Sequence, residues 1–402
     1  METIETLIVG AGPAGAAAAI ELARAGRDAL VVDRATFPRD KCCGDGLTAL
    51  ALRELEHLDL SPDTVASWRT VDEVVIRAPS GTERRYSLPD GPGYHAAVAR
   101  RTDLDAALVA RAIDAGATIE QGCAVTDVTA GDEHVVVGLE GRDPLRVTNL
   151  IAADGMWSPV RKALGLRVEG YRGEWHAFRQ YYENVSPRAG NELIVWFEED
   201  LLPGYAWSFP LADGRANIGF GIQRGGGHAV GDMKQLWPDL LGRPHIRDVL
   251  GPDARPEEPH KAWPIPARVG RVPLTGPHTM FVGDAAAATD PMTGEGIGQA
   301  LLTGRLAAEA ILAGGDTVAH YERETRRELV ADDRMARVLI PLLARPWIAR
   351  GALRLTGATP WTRRNFARWM FEDYPRAMVA TPRRWHRGMF TGDGAYAEPV
   401  GS

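Results

Sequence analysis

Cysteines, clustered histidines and long apolar runs are scarce in this sequence, and each shortage excludes a class of protein. The 402 residues include three cysteines, Cys42, Cys43 and Cys123, too few for a disulfide framework and without zinc-ligand spacing. The ten histidines are scattered without a spaced partner, so we expect no metal site. Since a spanning helix needs about 18 or more consecutive apolar residues, we also expect no transmembrane helix.

The chain also lacks a net positive charge, because 53 acidic residues outnumber 46 Lys and Arg. The formal net charge is −7, which gives no global electrostatic case for a nucleic-acid partner. The first apolar strand begins within six residues of Met1, so we expect no signal peptide and a cytoplasmic location. With 45% apolar residues, the chain is long enough for two domains with separate cores.

Residues 7–33 contain the clearest motif: an apolar strand, a glycine turn, an alanine-rich helix, a second apolar strand and an acid. Gly10, Gly12 and Gly15 form G-x-G-x-x-G, which allows a tight turn, close approach to a pyrophosphate and close helix–strand packing. The helix N-terminus then offers free N–H groups to the phosphates. Asp33 ends the second strand, where its carboxylate can accept a hydrogen bond from the adenosine ribose. The segment predicts a dinucleotide site.

Three more segments, far apart in sequence, follow predicted strands or open predicted helices. Because an extended dinucleotide spans much of a domain, its ligands must come from several strand ends. The segments are 101–105, which opens a helix running to about Ala115, 152–155 (Ala-Ala-Asp-Gly), and 281–286 (Phe-Val-Gly-Asp-Ala-Ala).

This arrangement resembles the flavoprotein superfamily built on the p-hydroxybenzoate hydroxylase fold. The resemblance implies non-covalently bound FAD, with Arg101 and Asp284 at the diphosphate and ribityl chain and Asp154 beside the cleft. The glycine-rich run 291–298 precedes a helix over 299–311, whose start can present N–H groups to the anionic edge of a reduced flavin. The predicted cofactor contacts are Gly10, Gly12, Gly15, Asp33, Arg34, Cys43, Gly44, Arg101, Asp154, Gly155, Gly283, Asp284, Gly294, Gly296 and Ile297.

Within that superfamily, two regions resemble the geranylgeranyl reductase family. Residues 40–48, with the Gly294 region, are similar to family loops, although Ala49 stands where relatives often have Pro. The segment 205–210 (Tyr-Ala-Trp-Ser-Phe-Pro), followed by eight residues and then 219–221 (Gly-Phe-Gly), matches the family's Y-x-W-x-F-P and G-x-G signature. In that family the aromatic face lines a lipid cavity against the flavin. Aromatic hydroxylases usually carry His where this chain has Ala287.

Strand alternation explains the aromatic segment without reference to a family. It places Tyr205, Trp207 and Phe209 on one face and two small residues on the other. Two interpretations remain open: the rings pack on the core of their own sheet, or they form a substrate wall that Trp196 and Phe197 extend. The second predicts that Trp196, Tyr205, Trp207, Phe209, Gly219 and Gly221 contact substrate.

Three residues are candidates for a catalytic role: Cys43, Tyr205 and Trp207. Cys43 is the most specific of the three. It lies between a Pro-containing loop and a Gly-Asp-Gly turn, which predicts an exposed, flexible backbone. The family resemblance implies a Cys near the reacting ring of the flavin. Cys43 either donates a proton there or packs as a small apolar group. We interpret Cys42 and Cys123 as structural.

The function that these motifs favour is an FAD-dependent reduction of C=C bonds in a polyprenyl chain, carried by a lipid, a prenyl diphosphate or a quinone. Without a second glycine fingerprint, NAD(P)H or a small redox protein would donate electrons transiently. The alternative is an FAD-dependent monooxygenase (hydroxylase or epoxidase) of secondary metabolism. A halogenase is disfavoured because such enzymes use an early Lys, and none occurs between Lys41 and Lys162. A prenyl-binding escort protein is the non-enzymatic alternative.

The C-terminal residues 331–390 carry twelve Arg against four acids, with Trp347, Trp361, Trp369 and Trp385 among them. Arg beside Trp on amphipathic helices is typical of peripheral contact with a membrane, here its inner face. The alternative is packing on the flavin domain with Arg outside. Five prolines predict a series of short helices: Pro341, Pro346, Pro360, Pro375 and Pro382.

The predicted architecture is α/β: a Rossmann-like FAD-binding domain with an inserted antiparallel sheet that covers the flavin. The FAD domain is expected from residues 1–75, 98–165 and 270–330. The substrate domain is expected from 76–97 and 166–269, and a helical segment from 331–402.

Overall fold

Nineteen strands and eleven α-helices make up the part of the chain that the computed structural model describes, residues 1–385 and 389–397. The strands are β1 Glu2–Val9, β2 Ala29–Asp33, β3 Gly46–Thr48, β4 Arg69–Thr70, β5 Glu73–Arg77, β6 Glu83–Ser87, β7 Ala96–Val98, β8 Thr118–Gln121, β9 Val125–Ala130, β10 Val135–Leu139, β11 Arg142–Ala152, β12 Trp175–Glu183, β13 Leu193–Trp196, β14 Tyr205–Leu211, β15 Arg215–Gln223, β16 Arg255–Pro256, β17 Lys261–Ile265, β18 Thr275–Gly276 and β19 Thr279–Phe281. The helices are α1 Pro13–Arg24, α2 Ala49–His57, α3 Arg101–Asp114, α4 Pro159–Ala163, α5 Pro187–Asn191, α6 Met233–Gly242, α7 Pro244–Leu250, α8 Ile297–Ala313, α9 Thr317–Leu343, α10 Pro346–Thr356 and α11 Pro360–Met370.

The first sheet is parallel at its centre, in the order β18-β19-β11-β1-β2-β8. Strands β9 and β10 extend it antiparallel from β11. Helix α1 packs between this sheet and α8, and its main chain lies close to both. A Cβ on Gly15 would lie 1.8 Å from the Gly10 carbonyl oxygen, and one on Gly304 would lie 2.0 Å from that of Ala14. Glycine is therefore required at both contacts.

The second sheet has the order β16-β12-β15-β14-β13-β5-β6, with β17 paired to β12. It is antiparallel except for the parallel pair β13 and β5. Both of its faces are buried, because alternate residues enter two different cores. One core lies under α6 and α7 and includes Ala206 and Phe220; the other includes Trp207 and Phe209. The predicted α/β class is confirmed, while the predicted domain boundaries stay a prediction.

The C-terminal segment differs from the sequence-based expectation at its first proline. Pro341 lies inside α9, a 27-residue helix, so the prediction that it separates short helices is wrong, and the predicted boundary at 331 falls within that helix. Pro346 and Pro360 do begin new helices, at the first position where a missing N–H costs nothing. Residues 386–388 and 398–402 of this segment lie outside the described residues. Among the helices described, none combines the length and the hydropathy needed to cross a membrane.

A buried carboxylate, Asp373, attaches the C-terminal segment to the first half of the chain. Its oxygens accept hydrogen bonds from Arg53 and Arg368, and the His95 imidazole lies 3.5 Å away. Burial alone would raise the pKa of Asp373, but His95 and the two guanidinium groups together lower it to about 2. The carboxylate is therefore charged in the folded state and fully partnered.

We expect Asp373→Asn to lower the free energy of unfolding at pH 7 by about 3–5 kcal/mol, because it leaves the buried Arg368 guanidinium without a counter-charge. The native pKa lies below the ordinary Asp value, so the stabilisation is complete above about pH 4 and lost as the pH falls towards 2. Equilibrium denaturation at both pH values measures it. Glu199→Gln, which breaks an exposed pair with Arg350, is the control and should change little. An equal effect of the two variants would contradict the prediction.

Candidate active site

A cleft of about 960 Å³ lies between the two sheets, at the carboxyl ends of β1, β2 and β11. Ligands of open α/β sheets bind at this edge. Its lining divides into a glycine-rich side from the first sheet and an aromatic side from the second. All predicted cofactor residues except Gly15 line it. Gly15 lies behind Gly10, where it allows the helix to touch the strand.

The glycine turn between β1 and α1 forms one end of the cleft. Gly10 has φ +104°, and a Cβ there would lie 2.4 Å from the Ala153 carbonyl oxygen. Helix α1 begins at Pro13 without a side-chain cap from any residue in the described ranges. Asp33 accepts hydrogen bonds from the N–H groups of Ala11 (2.7 Å) and Ala35 (2.8 Å). Each carboxylate oxygen has a second lone pair, which leaves capacity for a ribose hydroxyl.

Cations gather where the diphosphate of a dinucleotide would lie. Arg101 is buried in the first turn of α3 and makes two bonds to Asp105, of 2.8 and 2.7 Å. Arg39 approaches the same carboxylate at 3.2 Å. Lys41 lies 3.7 Å from the Asp284 carboxylate and 3.8 Å above the centre of the Trp263 ring. Two guanidinium groups thus share the single Asp105 carboxylate, which leaves a net positive charge beside the cleft.

The N-terminus of α8 forms the second glycine-rich element of the cleft. Asp290 Oδ1 shapes the preceding loop by accepting three bonds of 2.9 Å, from the Met292 N–H, the Thr293 N–H and the Thr293 hydroxyl. Gly294 takes φ +76°. Helix α8 then begins at Ile297, again without a side-chain cap within the part of the chain that the structure describes. Buried helix ends without caps require a partner from outside the helix.

These features fit FAD. The cleft has two helix N-termini with free N–H groups, and FAD has two matching anionic groups, the pyrophosphate and the N1–C2=O edge of the reduced ring. Asp33, at the end of β2, would be the acceptor for the adenosine ribose. Asp154, at the end of β11, binds Ser158 (2.8 Å) and the Val160 N–H (3.0 Å), and burial raises its pKa to about 6. Its Oδ1 has no hydrogen-bond partner among the described residues.

The aromatic side of the cleft is a row of rings from β14. Tyr205, Trp207 and Phe209 follow one another with centroids 5.9 Å apart, and Phe197 lies 6.0 Å from Tyr205. Strand pairing explains why the rings fit: Gly221 lies opposite Tyr205 and Gly219 lies opposite Trp207. Gly219 leaves room for the Trp207 ring, because a Cβ there would lie 2.3 Å from the indole, whereas a Cβ on Gly221 would meet no ring atom within 4 Å. This is a physical reason for a glycine opposite Trp207.

Two predicted substrate contacts are wrong for reasons of strand geometry. Trp196 is fully buried in the core on the other face of the sheet, because it pairs with Ala206 and points away from the cleft. Only Phe197, its neighbour, extends the aromatic row. Gly219 lies beneath Trp207 rather than at the cleft surface, since a Cβ there would be 2.3 Å from the indole. Gly221 lines the cleft, and its contact with substrate stays a prediction.

A buried polar network, which the sequence analysis missed, holds the aromatic row against the Cys43 loop. Asn217 accepts a hydrogen bond from the Trp207 indole N–H (3.1 Å) and donates to the Cys43 carbonyl (2.9 Å) and to Asp45 (2.8 Å). Tyr181 donates its hydroxyl to the same carboxylate at 2.7 Å. Burial raises the pKa of Asp45 to about 6. The sequence does mark Asn217 as unusual, because it is a lone polar residue in the apolar run 216–222.

The Cys43 loop is packed, so the prediction of an exposed, flexible position is wrong. The side chain is partly buried, and its sulfur accepts a hydrogen bond from the Asp45 N–H at 3.4 Å. The loop is also joined to the second sheet by Asp40, which pairs with the buried Arg179 of β12 at 2.7 Å. Burial raises the pKa of the Cys43 thiol to about 11, so it carries its proton at neutral pH.

The parallel sheet, the glycine turn and the open N-termini of α1 and α8 define a flavoprotein with a Rossmann-like cofactor domain. Comparison with known families agrees with this class. The model of the family described as FAD binding domain matches residues 3–313, and the chain belongs to this family.

Two curated relatives are similar to this chain over more than three quarters of its length. The menaquinone reductase of Mycolicibacterium smegmatis is 38% identical over 339 residues, which cover 78% of this chain and 77% of the relative. The digeranylgeranylglycerophospholipid reductase 1 of Methanopyrus kandleri is 33% identical over 320 residues, which cover 76% and 79%. Both relatives are named as reductases, which agrees with the predicted resemblance to the geranylgeranyl reductase family.

Solved structures share the fold. A geranylgeranyl bacteriochlorophyll reductase-like protein from Thermoplasma acidophilum aligns with a TM-score of 0.78 and 23% identity, covering 96% of this chain and 100% of that one. The p-nitrophenol 4-monooxygenase of Pseudomonas putida aligns with a TM-score of 0.74 and 17% identity, covering 91% and 97%. At these identities the likeness concerns the fold alone, so it does not favour the predicted monooxygenase alternative.

We expect Gly219→Ala to lower the free energy of unfolding by about 1–3 kcal/mol, as overpacking does, because its Cβ would lie 2.3 Å from the Trp207 indole and 2.4 Å from the Phe178 carbonyl oxygen. Gly221→Ala is the matched control two residues along β15, because its Cβ would lie 3.9 Å from the nearest heavy atom. Denaturant unfolding of both variants measures the difference. Equal stabilities would mean that Trp207 does not need the space above Gly219.

Proposed function

We propose that this protein reduces C=C bonds of a polyprenyl chain with FAD as its cofactor. The observation that carries the proposal is the aromatic row of β14 beside the α8 N-terminus. Tyr205 donates its hydroxyl to the Thr293 carbonyl, in the loop that leads into α8. The row therefore faces the element that would hold the reactive ring of the flavin, and a substrate between them would contact both.

The names of the two relatives support a polyprenyl substrate. A menaquinone and a digeranylgeranylglycerophospholipid have different head groups, and the part that they share is an isoprenoid chain. Such a chain is apolar, unbranched apart from methyl groups, and offers no charge to recognise. A wall of aromatic rings suits it through contact area alone. The head group would then remain towards the mouth of the cleft.

The residues of the chain would contribute binding, orientation and exclusion of water. An isolated double bond has no oxygen that a protein acid can polarise, so the site must hold the alkene tightly against the reductant in a dry cavity. Bound FAD would supply the hydride. Tyr205, Trp207 and Phe209 would hold the chain, and the Asn217 network would keep Trp207 and the Cys43 loop from moving apart. Cys43, protonated at neutral pH, is a candidate proton donor.

We propose that electrons reach the flavin from NAD(P)H or from a small redox protein that binds transiently. The single G-x-G-x-x-G motif, residues 10–15, is used by the turn before α1, at the proposed FAD site. A nicotinamide would therefore bind without a Rossmann site of its own. Stopped-flow reduction of the flavin by each donor separates the two.

We expect the photoreduced protein, mixed with a geranylgeranyl lipid or a polyprenyl quinone without oxygen, to give a product heavier by two hydrogens. Mass spectrometry of a single turnover measures it, and fragmentation locates the added hydrogens. Hydrogens on the prenyl chain would support the proposal. A reduced quinone ring with an intact chain would contradict it, as would an oxygen atom added only in air, which indicates a monooxygenase. Reoxidised protein serves as the control.

We also propose that the C-terminal helices contact a membrane surface, from which the lipid enters. Large apolar side chains are exposed there: Trp347 and Trp361 are both 69% exposed and Leu355 is 71% exposed. Arginines alternate with them on α10 and α11, including Arg354 and Arg363. Exposed Trp next to Arg suits the interface of an anionic bilayer. This arrangement favours the membrane interpretation over simple packing on the flavin domain.

Flotation with vesicles that contain anionic phospholipid tests this contact. We expect the wild-type protein to float with the vesicles and the double variant Trp347→Ser, Trp361→Ser to stay at the bottom of the gradient. Ile113→Ser is the control, because Ile113 is 50% exposed but lies on α3. Flotation unchanged by the double variant, or lost equally in the control, would contradict the proposal.

A further inference from the structure

A carboxyl group, Glu295, lies at the edge of the aromatic row and has no part in the function proposed above. It stands between Gly294 and Gly296 in the loop before α8, and it lines the cleft. Its main chain is held in the loop: the carbonyl accepts from the Asp290 N–H at 2.8 Å, and the N–H donates to the Thr293 hydroxyl at 3.4 Å. The side chain is therefore carried on fixed backbone.

The position of this carboxyl group relative to the rings follows from a glycine opposite it. A Cβ on Gly46 would lie 3.1 Å from Glu295 Oε1 and 3.3 Å from the Phe209 ring. The carboxyl oxygen and the ring thus border the same small space above Gly46. A chain lying along the aromatic row passes this oxygen.

Acidic groups outnumber basic ones around Glu295. The neighbouring cation, Arg376, is shared by other acids, since it lies 3.1 Å from Asp290 and 3.7 Å from Glu372. The ionisable groups that interact with the Glu295 carboxyl include Glu372, Arg376, Asp290, Asp45, Cys43 and Tyr205. Burial first, and then the Glu372 carboxylate, raise the pKa of Glu295 to about 8. At neutral pH the group is a carboxylic acid with a proton to give.

We infer that Glu295 is a catalytic acid of the reduction, placed to deliver a proton to the alkene carbon that does not receive the hydride. This inference rests on the proposed function and adds the source of the proton. The π pair of the double bond forms the new C–H bond with the proton of Glu295, while the hydride forms the second. The reduced flavin supplies that hydride and its electron pair and is oxidised. Glu295 is left as a carboxylate and regains a proton from water.

Two other protic groups border the aromatic row, and both suit the role less well. The Cys43 thiol has a pKa of about 11, and the phenol of Tyr205, raised well above its usual value by burial, already donates to a carbonyl. General acids work best when their pKa lies near the working pH. Of the three groups, Glu295 meets this condition.

The test uses Glu295→Gln, which keeps the shape of the side chain and removes the acid, with FAD bound. The first measurement is the visible spectrum of the bound oxidised flavin against pH. We expect a transition with a midpoint near pH 8 in the wild type and none in Glu295→Gln. In Glu372→Gln the midpoint should move to lower pH, because the like charge beside Glu295 is removed.

The second measurement is the anaerobic single turnover at pH 7. We expect Glu295→Gln to bind FAD and to be reduced normally, but to form product at least about 100-fold more slowly. The wild-type rate should fall above pH 8, as the acid loses its proton. Cys43→Ala tests the competing proton donor. Glu199→Gln, at an exposed position outside the cleft, is the control and should keep the wild-type rate.

Each contrary result has a distinct meaning. Product formation by Glu295→Gln at the wild-type rate overturns the inference, and so does a large loss confined to Cys43→Ala, which would make the thiol the donor. A wild-type protein that forms no anaerobic product, but still shows the spectral transition, overturns the proposed function. In that case Glu295 is an acid beside the flavin but not the donor to an alkene.

Discussion

The site depends on two close contacts between backbones, which leave no room for a side chain. At Gly15 and Gly304 a single added carbon atom would collide with a carbonyl oxygen, so β1, α1 and α8 touch through their main chains. This close packing brings the starts of two helices, far apart in sequence, to one cleft. Buried helix starts carry N–H groups that must find acceptors. Bound FAD would provide those acceptors, which explains why a fold with such tight helix contacts suits a cofactor site.

The cofactor side could be predicted from sequence in detail because its signals are local. The turn at residues 10–15 and the acid at Asp33 each follow a strand within one βαβ unit, and their geometry is set by that unit alone. The loop before α8 was also recognised, since glycines at 294 and 296 announce unusual backbone. The prediction of a flavin came from the resemblance to a flavoprotein superfamily, whereas the residue patterns by themselves predicted only a dinucleotide.

The substrate side was predicted less completely, because it depends on pairing between strands that sequence does not reveal. Alternation correctly placed the three rings of β14 on one face, but it could not say on which face Trp196 of the neighbouring strand would fall. The roles of Asn217 and Asp45 arise only when β15 lies beside β14 and the Cys43 loop folds under both. The prediction for Pro341 was wrong for a different reason. A long helix that packs along one side tolerates one missing hydrogen bond.

One consequence of the alternation in β14 concerns how this protein can change over time. Odd-numbered residues 205, 207 and 209 meet the cleft, while even-numbered residues 206 and 208 are buried on the opposite side. Substitutions at odd positions would widen or narrow the space for a ligand and leave the opposite core intact. Substitutions at even positions would act mainly on stability. Even positions therefore affect stability, whereas odd positions affect both the space for a ligand and the core that contains Trp207 and Phe209.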